Sequence, residues 1–201
     1  MAGKGFRNNA GRTLSEDLDR IAGSLTLLGP TAAAERIVME LQQKGPSWTG
    51  KFSNSWQIEG PQGQTVKGDG QPGEPRPVKF ASGPFTGRQA VATIFRTGFL
   101  KDKIIFRVSN FSSYAAQATD EKVGTFVRPT ALPQTELGKR KFFEVNEGRV
   151  NPSKRWDVGG GSPKSSSSRT ADQDWLANYA GGGRLNKAVQ ISMDAALRGM
   201  R

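Results

Sequence analysis

The chain contains neither cysteine nor histidine, and each absence closes off a class of chemistry. Without cysteine there are no disulfides, thiolate metal sites or thiol nucleophiles. Without histidine the commonest general base, the Ser-His dyad and the usual transition-metal ligand are missing, so most hydrolase and zinc readings fail on inventory. Apolar residues are sparse as well, at 35% of 201 residues, which is low for a compact globule and allows one good core or two small ones. Much of the chain is therefore expected as loop or arm. No apolar run is long enough for a membrane span, and residues 1–9 lack the apolar centre of a secretory signal. An intracellular or virion-assembly compartment is expected, with no membrane partner.

Positive charge is plentiful: 29 Lys and Arg against 18 Asp and Glu give a formal net charge of +11. Such an excess fits a polyanion contacted through its phosphates, an acidic protein neighbour, or a solvated basic face. Lys4, Arg7 and Arg12 lie in an N-terminal arm without an acid, and Lys139, Arg140, Lys141, Arg149, Lys154 and Arg155 crowd a second segment. Phe142, Phe143 and Trp156 interleave there as faces on which bases could stack. Lys139, Arg140 and Lys141 are thus the candidate basic contact. A single-strand platform would further require such aromatics to be exposed on a sheet.

Hydrophobic periodicity outlines the architecture. Thr13 and Glu16 have capping-box spacing, and Leu14, Leu18, Ile21, Ala22, Leu25 and Leu28 recur with helical period until Gly29-Pro30. A second helix is expected over 31–44 on the stripe Ala34, Ile37, Val38 and Leu41, with Gly45 left-handed past its end and Pro46 preventing continuation. After a Thr49-Gly50 turn, Phe52, Asn54 and Trp56 alternate with Ser53, Ser55 and Gln57 as in a strand. Residues 60–87 read as a long loop or arm, and their glycines lack the Gly-Lys-Ser/Thr ending of a phosphate-binding loop.

Further strands are expected over 90–95 and 103–109, the latter with Ile104, Phe106 and Val108 on one face and Ile105, Arg107 and Ser109 on the other. Residues 112–121 read as a short helix placing Tyr114 against the sheet. Trp175 and Tyr179 suit a short helix ended by Gly181-Gly182-Gly183. Residues 184–198 suit a closing helix, with Leu185, Ala188, Val189, Ile191, Ala195, Ala196 and Leu197 as its apolar stripe. Gly159-Gly160-Gly161-Ser162-Pro163 and the serines of 165–168 form a linker ahead of it.

The expected fold class is α+β: N-terminal helices, an antiparallel β-sheet, a C-terminal helix, and long loops or arms. The chain divides into a flexible arm (1–12), a core (13–137) containing the loop 60–87, a basic and Gly/Ser-rich extension (138–171), and a C-terminal helical segment docking on the core (172–201). Asp17 with Asp19, Asp120 with Glu121, and Asp172 with Asp174 are paired acids whose spacings select no shared pocket. No catalytic residue, metal or cofactor is expected from them.

One pattern is more specific. A helix, then Pro46, two residues, Thr49-Gly50 and Ser55 resembles the joint of head-to-tail joining and tail-completion proteins of tailed bacteriophages. The family's second signature, a Tyr-Ala pair followed by an acid and a Gly-Thr pair, is matched by Tyr114-Ala115, Asp120 or Glu121, and Gly124-Thr125. Arg128-Pro129-Thr130-Ala131-Leu132 is similar to the step into the family's last helix. Pro133 interrupts it, which favours residues 184–198 as the docked helix. The resemblance covers roughly 31–125 and departs from the family at the long inserts and at Trp48.

It implies a non-enzymatic virion protein: a neck or tail-completion subunit, assembled in the host cytoplasm, that forms a ring joining head connector to tail. Implied partners are other copies of itself, a connector or adaptor ring, tail terminator or tube proteins, and packaged DNA through non-specific contact. The matched residues would then mark an interface. The alternatives are a basic nucleic-acid-binding protein and a hydrolase using carboxylates alone.

Overall fold

The computed structural model describes residues 28–61, 63–80, 105–119, 132–145, 170–172 and 174–198. The expected N-terminal arm, the first helix up to residue 27, the strand over 90–95, Gly124-Thr125, the acids Asp17, Asp19, Asp120 and Glu121, and residues 146–169 with Trp156 lie outside the described residues.

Helix α1, Gly29–Lys44, starts two residues earlier than the periodicity suggests. Pro30 sits in its first turn, where a missing N–H leaves no hydrogen bond unmade, and Leu28 ahead of it is itself helical at φ −65°, ψ −46°. Ala33, Ala34, Val38 and Leu41 are its buried apolar residues. The Gly45 N–H ends the helix by donating to the Leu41 carbonyl oxygen at 2.8 Å. Gly45 is extended at φ −68°, ψ 170°, and not left-handed as expected. Glycine is needed there for room: a Cβ would lie 2.9 Å from both the Leu41 oxygen and Trp175 Cη2.

Strands β1 (Trp56–Glu59), β2 (Thr65–Lys67) and β3 (Arg107–Asn110) form an antiparallel sheet in the order β2-β1-β3. Ile58 pairs with Val66 on one side and Val108 on the other, while Gln57 meets Lys67 and Ser109, and Glu59 meets Thr65 and Arg107. Strand alternation therefore gives an apolar face toward α1 and a polar outer face. Phe106 and Val108 pack on the core and Ile105 is exposed, as their alternation suggests.

Two loop and strand expectations are corrected. Residues 52–55 are a turn, with Asn54 N–H donating to Gly50 O at 3.0 Å and Ser55 N–H to Phe52 O at 3.1 Å. Ser53 and Ser55 are as buried as Phe52, because their hydroxyls donate to the Pro46 and Lys51 carbonyls. The apparent alternation mistook satisfied polar residues for a solvent face. The loop expected over 60–87 contains β2, and its part up to residue 80 returns to the core, where Val78 is buried.

Helices α2 (Ala115–Thr119), α3 (Glu136–Val145), α4 (Trp175–Gly181) and α5 (Arg184–Arg198) complete the described elements. The fold is α+β. Helix α3 falls across the boundary expected at 137/138 and is started by Thr135, whose Oγ1 accepts the Gly138 N–H at 2.9 Å. Helix α5 has the expected bounds and packs on α1. Its docked face is narrower than its apolar stripe: Ala188 and Ser192 are buried, whereas Val189, Ile191 and Leu197 stay exposed. One core unites Ala34, Val38, Leu41, Phe52, Trp56, Ile58, Val78, Ala171, Trp175 and Tyr179.

Candidate functional site

The joint between α1 and β1 gathers distant parts of the chain. Gly50 has φ +81°, a left-handed conformation that favours glycine, and a Cβ on it would collide with the Gly73 carbonyl. Beside it, the Gly73 N–H donates to Thr49 O at 2.9 Å. Asn54, 1% exposed, secures the same strand of chain. Its Nδ2 donates to the carbonyls of Gln71 (3.0 Å), Glu74 (3.1 Å) and Gly73 (3.4 Å), and its Oδ1 accepts the Arg76 N–H at 2.9 Å. Gln42 Nε2 reaches from α1 to Ser53 O and Arg76 O, both at 2.8 Å. Segment 70–76 thus has its backbone groups met by two buried amides, as backbone removed from water requires.

The other side of the joint receives α3 and the chain leading to α4. Ser47 N–H donates to Thr170 Oγ1 at 2.9 Å, and Thr135 Oγ1 donates to Ser47 O at 3.1 Å. Gln134 N–H donates to Trp48 O at 2.8 Å, and the Trp48 and Phe142 rings meet edge to face at 5.5 Å. Glu74 Oε1 accepts the Glu136 N–H at 2.6 Å, placing a carboxylate at the positive end of α3.

The motif residues meet here. Tyr114 packs against Phe52 with ring centroids 6.4 Å apart. Burial pushes its phenol above the ordinary value, while the adjacent Thr49 side chain and Phe52 backbone pull the other way. Tyr114 and the Thr49-Gly50 turn, one from each half of the resemblance, thus come together at Phe52. Ala115 packs on the core, and Pro46 lies in the joint. Gly50 and Ser55 are buried, so these two build the joint and do not face a partner.

The basic candidate divides. Lys139 pairs with Glu136 at 2.7 Å, and the exposed Arg140 lies 3.8 Å from Glu144. Lys141 is 7% exposed and its Nζ donates to the Gly45 carbonyl. Burial lowers its pKa to about 8, with Lys44 and Arg140 adding to the effect and Glu144 opposing it. Lys141 is thus a structural cation inside the fold, a correction to its reading as surface contact. Phe142 is fully buried and unable to stack on a base. Among the described strands the outer sheet face carries Gln57, Glu59, Thr65, Lys67, Arg107 and Ser109, without an aromatic platform.

Sequence reasoning missed Gln42, Asn54, Ser47 and Thr135. The run of hydroxyl and amide residues from Ser53 to Ser55 was the available signal, because such side chains bond backbone in turns. Asp172 and Asp174 are exposed, and among the described residues no three acids converge as metal ligands would. Among the described residues no helix is long and apolar enough to cross a membrane. Compared with family models, curated proteins and solved structures, the chain matches none.

Proposed function

We propose that the chain is a structural subunit of a tailed-phage neck, a tail-completion protein that packs in a ring between head connector and tail. The observation that carries this reading is the packing of Tyr114 on Phe52, two residues past Thr49-Gly50, because residues of two short motifs far apart in sequence share one joint. The joint's polar groups are engaged with backbone, an arrangement suited to holding shape and not to moving protons or bonds. Repeated heterologous contacts between such subunits close a ring. The net charge of +11 suits a channel wall beside packaged DNA.

The nucleic-acid-binding alternative retains the charge but loses Lys141 and Phe142 to the interior. Imaging intact particles after labelling this protein tests the proposal. A label confined to the head-to-tail junction is expected, and particles that complete and join normally without the protein would overturn it.

A further inference from the structure

The C-terminal unit, residues 170–198, fills a groove whose named contacts come from residues that precede α3. Trp175 meets Phe52 edge to face at 6.2 Å, and its Nε1 donates to Ala118 O at 2.8 Å. Tyr179 OH donates to Glu40 Oε2 at 3.2 Å, Thr170 accepts from Ser47, and Ala188 is 1% exposed in a helix packed on α1. Lifted out, this unit would uncover the Phe52, Leu41 and Val38 core. Groove and plug are complementary, non-covalent and separable in sequence.

The connection between them is far longer than its task requires. Thr135, which starts α3, and Thr170, which opens the plug, both hydrogen-bond Ser47, and Lys141 reaches Gly45. Yet about two dozen residues, 146–169, separate α3 from the plug, a contour length of up to ~80 Å. Gly159-Gly160-Gly161-Ser162 and the serines of 165–168 give it the composition of a flexible linker.

We propose that in the assembled protein this plug is exchanged: residues 170–198 of one copy occupy the groove of the next. The exchanged contacts are those of the monomer, so their energy is already available, and assembly gains linkage without a new surface. The tether concentrates each plug at its own groove, so exchange requires protomers held side by side, as a ring holds them, with a connection long enough to reach across. The proposal deepens the ring assembly put forward above, and rests on it for the neighbour.

Because the chain has no cysteine, Ser47→Cys with Thr170→Cys places the only two thiols across the groove-plug contact. Concentrated protein is separated into monomer and oligomer, oxidised, and run on a non-reducing denaturing gel. Monomers should bridge within one chain, and oligomers should give covalent ladders. Oligomers that fall apart into single chains, or a protein that stays monomeric at every concentration, overturn the exchange.

Deleting residues 157–168 provides a second variant. The remaining dozen or so residues span ~40 Å at most, enough to close a chain's own groove. The shortened protein should keep the monomer's melting temperature and lose about tenfold or more of its oligomer. Undiminished assembly also overturns the proposal. Both measurements use purified protein, so an exchanging protein absent from the particle neck would sink the neck reading alone.

Discussion

Lys141 Nζ donates a hydrogen bond to the carbonyl oxygen of Gly45, the residue that ends α1. A charged ammonium thereby ties α3 to the joint from inside the protein. Its folded pKa of about 8 lies below the ordinary lysine value of 10.5. Between those values the unfolded chain binds more protons than the folded one, so stability rises with pH through that window. Burial raises the phenols of Tyr114 and Tyr179, and their contribution is lost as pH climbs past the ordinary tyrosine range.

Denaturant unfolding at pH 7 to 10 should therefore show stability increasing with pH and falling at higher values. In Lys141→Met the rise attributable to this side chain, on the order of 1–3 kcal/mol, should vanish. The same slope in both proteins would refute the buried-cation assignment. The charges facing Lys141 from its surroundings are Lys44, Arg140 and Glu144, and all three are kept in the comparison.

The exposed pair should behave differently. Lys139 and Arg140 make only surface ion pairs, so Lys139→Gln with Arg140→Gln should change stability by less than about 1 kcal/mol. Under the neck reading the double variant should alter particle completion or DNA retention, measured by imaging and by packaged DNA per particle. Normal particles from a folded double variant would remove these residues from the contact surface.

Two glycines separate backbone conformation from close approach. Gly63 has φ +79° with nothing within 4 Å, whereas Gly50 has φ +81° against the Gly73 carbonyl. Gly63→Ala should cost about 1 kcal/mol, the left-handed penalty alone. Gly50→Ala should cost at least about 2 kcal/mol more, since the 70–76 segment must move. Equal melting temperatures for the two variants would show that the joint tolerates displacement of that segment.

The sequence made α1, the bounds of α5 and the two faces of β3 legible because each repeats its apolar residues at its own period. Thr49-Gly50 was legible as a turn, whereas Tyr114, expected against the sheet, packs on Phe52 in the joint. The second strand, the clasped segment 68–80 and α3 were not legible. The clasped segment 71–76 and the start of α3 are held by single buried amides and hydroxyls, Asn54, Gln42 and Thr135, which meet backbone groups far away in sequence. A long-range bond of that kind leaves no periodic trace. Lys141 misled for a related reason: Lys139 and Arg140 before it reach solvent, while its position on α3 turns it toward Gly45.

Asn54 offers the sharpest test of the joint. Its Nδ2 supplies hydrogen bonds to three converging carbonyls, and its Oδ1 takes the Arg76 N–H. Asn54→Asp keeps the shape and the acceptor but replaces the donor with a second oxygen facing those carbonyls. The ionised side chain would be buried, unpaired and opposed by three carbonyl dipoles, at a cost of about 3–5 kcal/mol at neutral pH. Protonation restores a donor to that corner. The carboxyl should therefore titrate well above the ordinary aspartate range in the folded protein. The variant's deficit relative to the native chain should be smallest below about pH 4 and grow as pH rises through the unfolded aspartate value. Asn54→Ala lacks the titratable group and should show a pH-independent deficit. A constant penalty for Asn54→Asp across pH 4 to 8 would mean that segment 70–76 is held by something other than the amide donor.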